Sequence, residues 1–135
     1  MKKLLLFLFI ATLTVSCDDN SNDVQWKIIN LVVSQNDWVV NTDADGLNKF
    51  YSYQFNMPEI SSAIFNTGSL STYVVLDNAQ QVLPYVRHYE NNAGDWWTRT
   101  VDCDYAVNKM NIYVTNSDFA DDLPETMNFR VVLMW

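Results

Sequence analysis

KFYSYQFNM, residues 49–57, sets Tyr51, Tyr53, Phe55 and Met57 against Ser52, Gln54 and Asn56 at every second position. Successive side chains of a strand point to opposite faces, so this pattern predicts a half-buried strand, one face in a core and one in water. Toward the N-terminus, NTDADGLN at 41–48 reads as a loop with Asp45-Gly46 as its tight turn. VQWKIINLVVS at 24–34 is apolar on both alternating sets from Ile28 on, which predicts a strand covered on both faces for part of its length. Trp38-Val39-Val40 would continue it after the break at Gln35-Asn36-Asp37.

Toward the C-terminus, Pro58 ends the strand and PEISSAIFNTG at 58–68 carries a helical signature. Pro58 suits an opening position, and Glu59 suits the positive end of the helix dipole. Ile60, Ala63 and Ile64 fall on one face, and Gly68 is placed to close the helix in the left-handed conformation. Residues 69–76 direct Leu70, Val74 and Leu76 inward, and Pro84 makes 82–89 an edge or bulged strand. A turn at 91–94 leads to paired strands over 95–105 and 108–115. An acidic loop at 116–126 precedes MNFRVVLMW at 127–135, where Phe129, Val131, Leu133 and Trp135 share a face. With 14% aromatic residues and many β-branched ones, the expected fold is all-β: an antiparallel β-sandwich of about seven strands with one short helix. No internal repeat or second domain is evident.

The first 17 residues bear on location. Lys2 and Lys3 precede an apolar run from Leu4 to Val15, which is of signal-peptide length and too short to span a bilayer. Leu13-Thr14-Val15-Ser16-Cys17 resembles a bacterial lipobox, with Ser16 before the cut and Cys17 as the lipidated new N-terminus. An ordinary cleaved signal peptide with an incidental cysteine is the plainer alternative. The expected organisation is a lipoprotein signal peptide at 1–16, lipidated Cys17 and a polar tether at 17–23, and the sandwich at 24–135. Asp18 and Asp19 resemble the surface-export signal of Bacteroidota lipoproteins, which implies a membrane partner through the lipid and an outward-facing, cell-surface domain at the outer membrane. In another envelope, aspartate at that place implies retention at the inner membrane.

Cleavage before Cys17 removes 16 of the 135 residues and two of the eight basic ones. The remaining 119 residues carry six basic and 16 acidic side chains, a net charge of −10. That balance repels phosphate backbones and excludes nucleic acid as a partner class. Cys103 is then the only thiol, so no internal disulfide forms. Its alternation with Val101 and Tyr105 reads as a buried small hydrophobe.

The stretches 51–74 (YSYQFNMPEISSAIFNTGSLSTYV), 82–87 (VLPYVR) and 127–135 together resemble a family of small Bacteroidota surface lipoproteins with no assigned activity. The shared pattern is an aromatic strand, a Pro-Glu-Ile helix start, an Asn-x-Gly stop, a Leu-Pro-Tyr segment and a closing Phe-Arg-Val-Val strand. Ser61 stands where Thr is commoner in that pattern, and 68–73 is more polar than usual. The resemblance implies a β-sandwich lipoprotein and brings no catalytic residues with it.

Trp96 and Trp97 are adjacent in a strand and so face opposite ways. Trp97 sides with Val101, Cys103 and Tyr105 toward the core; Trp96 sides with Thr98, Thr100, Asp102 and Asp104 on a polar face. An exposed indole above hydroxyls and carboxylates suits a glycan, whereas an indole covered by a neighbouring loop is packing alone. Asn41, Asp43 and Asp45 with Gly46 resemble the front of a calcium loop, but Lys49 and Ser52 stand at its ninth and twelfth places, so a plain acidic turn is the other reading. Asp118, Asp121, Asp122 and Glu125 could hold a cation or form a solvated loop. His88, the only histidine, has no nucleophile-elbow motif to serve. Asp102 and Asp104, about 7 Å apart on one strand face, lack the facing cleft of a glycosidase. The expected role is therefore non-catalytic: a surface lipoprotein binding an extracellular glycan or a protein partner. The alternative is a structural or accessory subunit of an outer-membrane or fimbria-like assembly.

Overall fold

The computed structural model of the protein describes residues 23–119 and 122–135. The leader, Cys17, the tether up to residue 22, and Asp121 lie outside the described residues. The chain forms two antiparallel sheets packed as a sandwich. Its elements in chain order are β1 (Trp26–Val33), a 3-10 turn (Gln35–Asp37), β2 (Val39–Thr42), β3 (Lys49–Asn56), α1 (Ser62–Thr67), β4 (Ser69–Leu76), β5 (Ala79–Val82), β6 (Tyr85–Glu90), β7 (Trp96–Ala106), β8 (Lys109–Asn116) and β9 (Met127–Met134). One sheet runs β1-β9-β4-β5 and the other β2-β3-β8-β7-β6.

The alternation read from residues 49–57 places the core. Tyr51, Ile112, Val114 and Val101 on one sheet meet Val33, Val74, Phe129, Val131 and Leu133 on the other, all nearly inaccessible to solvent. Burying a side chain of this size is worth about 1.5–3 kcal/mol. Registers such as Tyr51↔Val114 and Val74↔Phe129 keep the apolar sets on the inner faces, because a one-residue slip would turn every one of them outward.

Nine described strands replace the expected seven for two local reasons. The 3-10 turn at Gln35–Asp37 carries the chain from one sheet to the other, so β2 is a separate strand rather than a continuation of β1. Trp38 at this crossing is buried, and its Nε1 donates to the Glu125 carbonyl at 3.2 Å. Pro84, whose peptide with Leu83 is cis, likewise separates β5 from β6 and lets the chain cross back. Residues 24–34 are not covered on both faces. Among the described residues β1 pairs with β9 alone, and Trp26, Ile28 and Val32 stand on the outer face of that edge strand, exposed. Trp135 also departs from expectation: it is partly exposed, and its backbone exchanges two hydrogen bonds with Gln25, tying the two ends of the domain together.

The helix is shorter than the 58–68 pattern. Ser61 caps it, its Oγ accepting from the Ile64 amide at 3.2 Å. Ile60 and Ile64 are buried, whereas Ala63 is exposed. Glu59 pairs with Lys27 of β1 at 3.2 Å instead of sitting in the first helical turn. Gly68 is not left-handed: its φ of −88° and ψ of −173° are open to any residue. Glycine is required there by crowding. A Cβ would lie 2.7 Å from the Met134 carbonyl oxygen and 2.9 Å from that of Ile64.

The strands define two ends. Residues 24–26, α1, the β7–β8 turn and Trp135 gather at one end, where Asn108 bridges Met57 and Ile60 through its backbone. The β2–β3, β4–β5, β6–β7 and β8–β9 connections gather at the other. An eight-residue strand separates the ends by about 27 Å.

Candidate functional site

A cleft of about 380 Å³ opens at the loop end, between the β6–β7 hairpin and the chain leaving β8. The hairpin is stiffened by Asn91. Its Oδ1 accepts from the amides of Ala93 and Asp95 at 2.9 and 3.0 Å, and its Nδ2 donates to Asp95 Oδ2 at 2.9 Å. Asparagine is suited to hold its own turn in this way, and Gly94 supplies the positive φ of +88°. The opposite wall is strapped to β7: Ser117 donates its amide to the Thr98 carbonyl at 2.9 Å and accepts the Thr98 amide on Oγ at 2.8 Å.

Between these walls Trp96 stands 67% exposed. Trp97 turns to the inner face and forms the half-buried floor, stacked on Tyr89 at 5.6 Å between centroids and 17° between planes. Beneath them lies Arg99. Its guanidinium sits 5.3 Å over the Tyr89 ring, its Nε donates to Asn116 Oδ1 at 3.0 Å, and Nη1 donates to both Glu125 oxygens at 2.8 and 3.0 Å. A planar guanidinium can serve three partners at fixed angles, so Arg99 ties β6, β8 and the β8–β9 loop into one frame. Asn91, Asp95, Asp118 and Asp122 complete the lining with amide and carboxylate groups. Deeper, Tyr85 is buried and meets the Tyr89 hydroxyl at 3.2 Å. Its burial first, and then that hydrogen bond, push its phenol up to about 12.

The sequence-predicted site residues divide. Trp96 lines the cleft. Thr98, Thr100, Asp102 and Asp104 run down the outer face of β7 away from it. The Thr98 hydroxyl meets His88 Nδ1 at 2.9 Å, which places the histidine outside the cleft. Asp104 accepts from Asn111 Nδ2 and the Tyr113 hydroxyl at 2.6 and 2.9 Å. Desolvation pushes the Asp102 carboxyl up, and the Asp104 charge adds to the shift. Burial raises the Cys103 thiol in the same way.

At the calcium-like loop, Asn41 turns aside, its Nδ2 donating to the Val39 carbonyl and to Ser52 Oγ. Asp43 accepts from the amides of Leu47 and Asn48 and from the Asn48 side chain, and Asp45 accepts from Leu47. Asp43 is held below the usual carboxylate range, first by the Asp45 side chain; desolvation opposes this, and the bonds to Asn48 and Leu47, each individually weaker than that opposition, add to the lowering. The two carboxylates close the turn. Among the described residues no group of three or more His, Cys, Asp or Glu side chains is arranged to hold a metal ion.

Asn91, Asp95, Trp97, Arg99 and Asn116 were not marked as site residues by sequence. Trp97 follows the inward alternation faithfully, but it does so at the end of its strand, where inward means cleft floor. Asp118 and Asp122 carried a signal in the acidic loop without any indication of what faced them.

Comparison of the chain with protein-family models, with characterised proteins and with solved structures finds no match.

Proposed function

We propose that the protein is a non-catalytic surface lipoprotein, held to the outer membrane by acyl chains on Cys17, and that its cleft binds an extracellular glycan. The observation that carries the binding reading is Trp96: an indole two-thirds exposed at the mouth of a cleft that is floored by Trp97 and otherwise lined by amides, carboxylates and the engaged Arg99 guanidinium. The apolar face of a sugar ring covers an indole, and its hydroxyls donate to carboxylates and pair with amides in either sense. Large aromatics are ordinarily well buried, so an indole presented this way is ready to be covered by a ligand. The placement of the ends supports the anchored reading. The described chain begins beside Trp135, about 27 Å of strand away from the cleft, so a tether at residue 23 would direct the loop end away from the membrane.

The test of binding is calorimetry of the folded domain against an oligosaccharide panel, repeated with Trp96→Ala. The substitution removes a solvent-exposed side chain, so the fold is retained while the binding heat disappears. Equal heat from both proteins would defeat this reading. Mass spectrometry of the membrane-extracted protein tests the anchor: the expected species begins at Cys17 and carries acyl mass.

A specific observation favours a second reading, an accessory subunit of an outer-membrane or filament-like assembly. Among the described residues the outer edge of β1 is unpaired, and with its exposed Trp26, Ile28 and Val32 it forms an apolar border on the four-stranded sheet; open edges recruit strands. Copurification from envelope extracts that is lost in an Ile28→Lys variant would support it over glycan binding.

A further inference from the structure

We infer that the cleft discriminates by charge: it takes uncharged or amine-bearing sugars and turns away uronate, sialylated and sulfated ones. The inference deepens the glycan reading and rests on it. Asp95, Asp118 and Asp122 bring three carboxylates to the lining. The one guanidinium is answered on its own side: Glu125 engages Arg99 through both oxygens, and Asn116 and the Tyr89 ring occupy its Nε and its face. An entering anion meets like charge, and among the described lining residues there is no unshared cation to receive it. The Arg99 side chain is only 13% exposed, so turning toward a ligand would mean leaving these partners.

The mature chain as a whole carries the same sign, with 16 acidic against six basic residues. Such a field repels anions before contact, and salt screens it over about 8–10 Å at physiological ionic strength. A sugar bearing a free amine is favoured on two counts, by the carboxylates and by the indole face, which attracts cations. The volume is near the lower limit of small-molecule sites, about 300–1,000 Å³, so recognition covers one or two rings and a single charged group is enough to decide it.

Matched ligands test this. Oligogalacturonates are compared with their methyl esters, and chitosan oligomers with chitin oligomers, by calorimetry at about 20 mM and about 500 mM salt. The expected result is that, within a binding pair, the anionic member is weaker by at least about tenfold at low salt, from three carboxylates at moderate separation, and that the gap narrows at high salt. The amine member should bind more tightly than its acetylated form, with that advantage also falling as salt rises. In Asp95→Asn/Asp122→Asn the ratio between charged and uncharged members should shrink toward unity; circular dichroism confirms that the double variant is folded. Anionic and neutral members binding equally, or the anion binding better, with Trp96 still required, would overturn the charge rule and leave the glycan reading intact. Binding of no member, or binding indifferent to Trp96→Ala, would overturn both.

Discussion

Substituting Gly68 by alanine tests how the helix is seated on the sandwich. The backbone at Gly68 has φ −88° and ψ −173°, a region alanine enters freely. Conformational entropy alone therefore predicts that Gly68→Ala stabilises the domain by about 0.4–1 kcal/mol, by restricting the unfolded chain. The contacts predict the opposite. The added Cβ would lie 2.7 Å from the Met134 carbonyl oxygen, 2.9 Å from the Ile64 carbonyl oxygen and 3.1 Å from the Ile64 Cα. All three are backbone atoms. One belongs to β9 and two to α1, so relief requires moving the helix off the strand end. Overpacking of this kind costs about 1–3 kcal/mol, and after the entropic gain is set against it the net expectation is a loss of about 1 kcal/mol. For a domain near 110 residues that is a fall in Tm of about 3–6 °C, measurable by calorimetry or circular dichroism. Gly94→Ala is the counterpart: open space surrounds it, but its φ is +88°. It should cost about 1 kcal/mol from backbone strain alone. An unchanged or raised Tm for Gly68→Ala would refute the argument from crowding.

Three further outcomes follow from other parts of the molecule. Thr72 is 3% exposed and among the described residues its Oγ1 lacks a partner of hydrogen-bond geometry, the Cys103 thiol being the weak polar group that senses it. Thr72→Val should therefore raise unfolding free energy by about 1 kcal/mol in urea titration. Arg99→Lys cannot hold Asn116, Glu125 and Tyr89 together, and Asn116 is itself buried; a loss of about 1–3 kcal/mol should appear in the same assay. Tyr85 has its phenol raised from 10.0 to about 12. Between those values the unfolded chain releases a proton that the folded chain keeps. Its contribution, on the order of 1–3 kcal/mol, is thus full below pH 10 and lost as pH rises through 12. Tyr85→Phe should flatten that slope in alkaline denaturation.

The fold was legible where a strand has one wet face and one dry face. Residues 49–57 and the last segment alternate cleanly, and Tyr51, Phe129, Val131 and Leu133 are buried as their spacing implies. Legibility failed where a residue's environment is set by a distant segment. The apolar outer residues of β1 imitate a strand covered on both faces, because an edge strand with an exposed border has the same composition as an interior one. Gly68 reads as a helix stop from local pattern; the atoms that demand glycine include one from the far end of the chain, Met134. The site followed the same rule. Trp96 was identifiable because its strand neighbours are polar. Arg99 was not, since its partners Asn116 and Glu125 lie 17 and 26 residues away. The outward run Thr98, Thr100, Asp102 and Asp104 shares a face with Trp96, yet the cleft lies at the end of that face and turns inward toward Trp97.

The most direct test of the binding account uses the five tryptophans as reporters. Their indole N–H resonances, assigned by substitution, would be followed by NMR during titration with a neutral oligosaccharide selected from the panel. Trp96 and Trp97 should shift together and saturate at a common ligand concentration, while Trp26, Trp38 and Trp135 stay fixed. Shifts confined to Trp26 or Trp135, near the opposite end of the sandwich, would contradict the account.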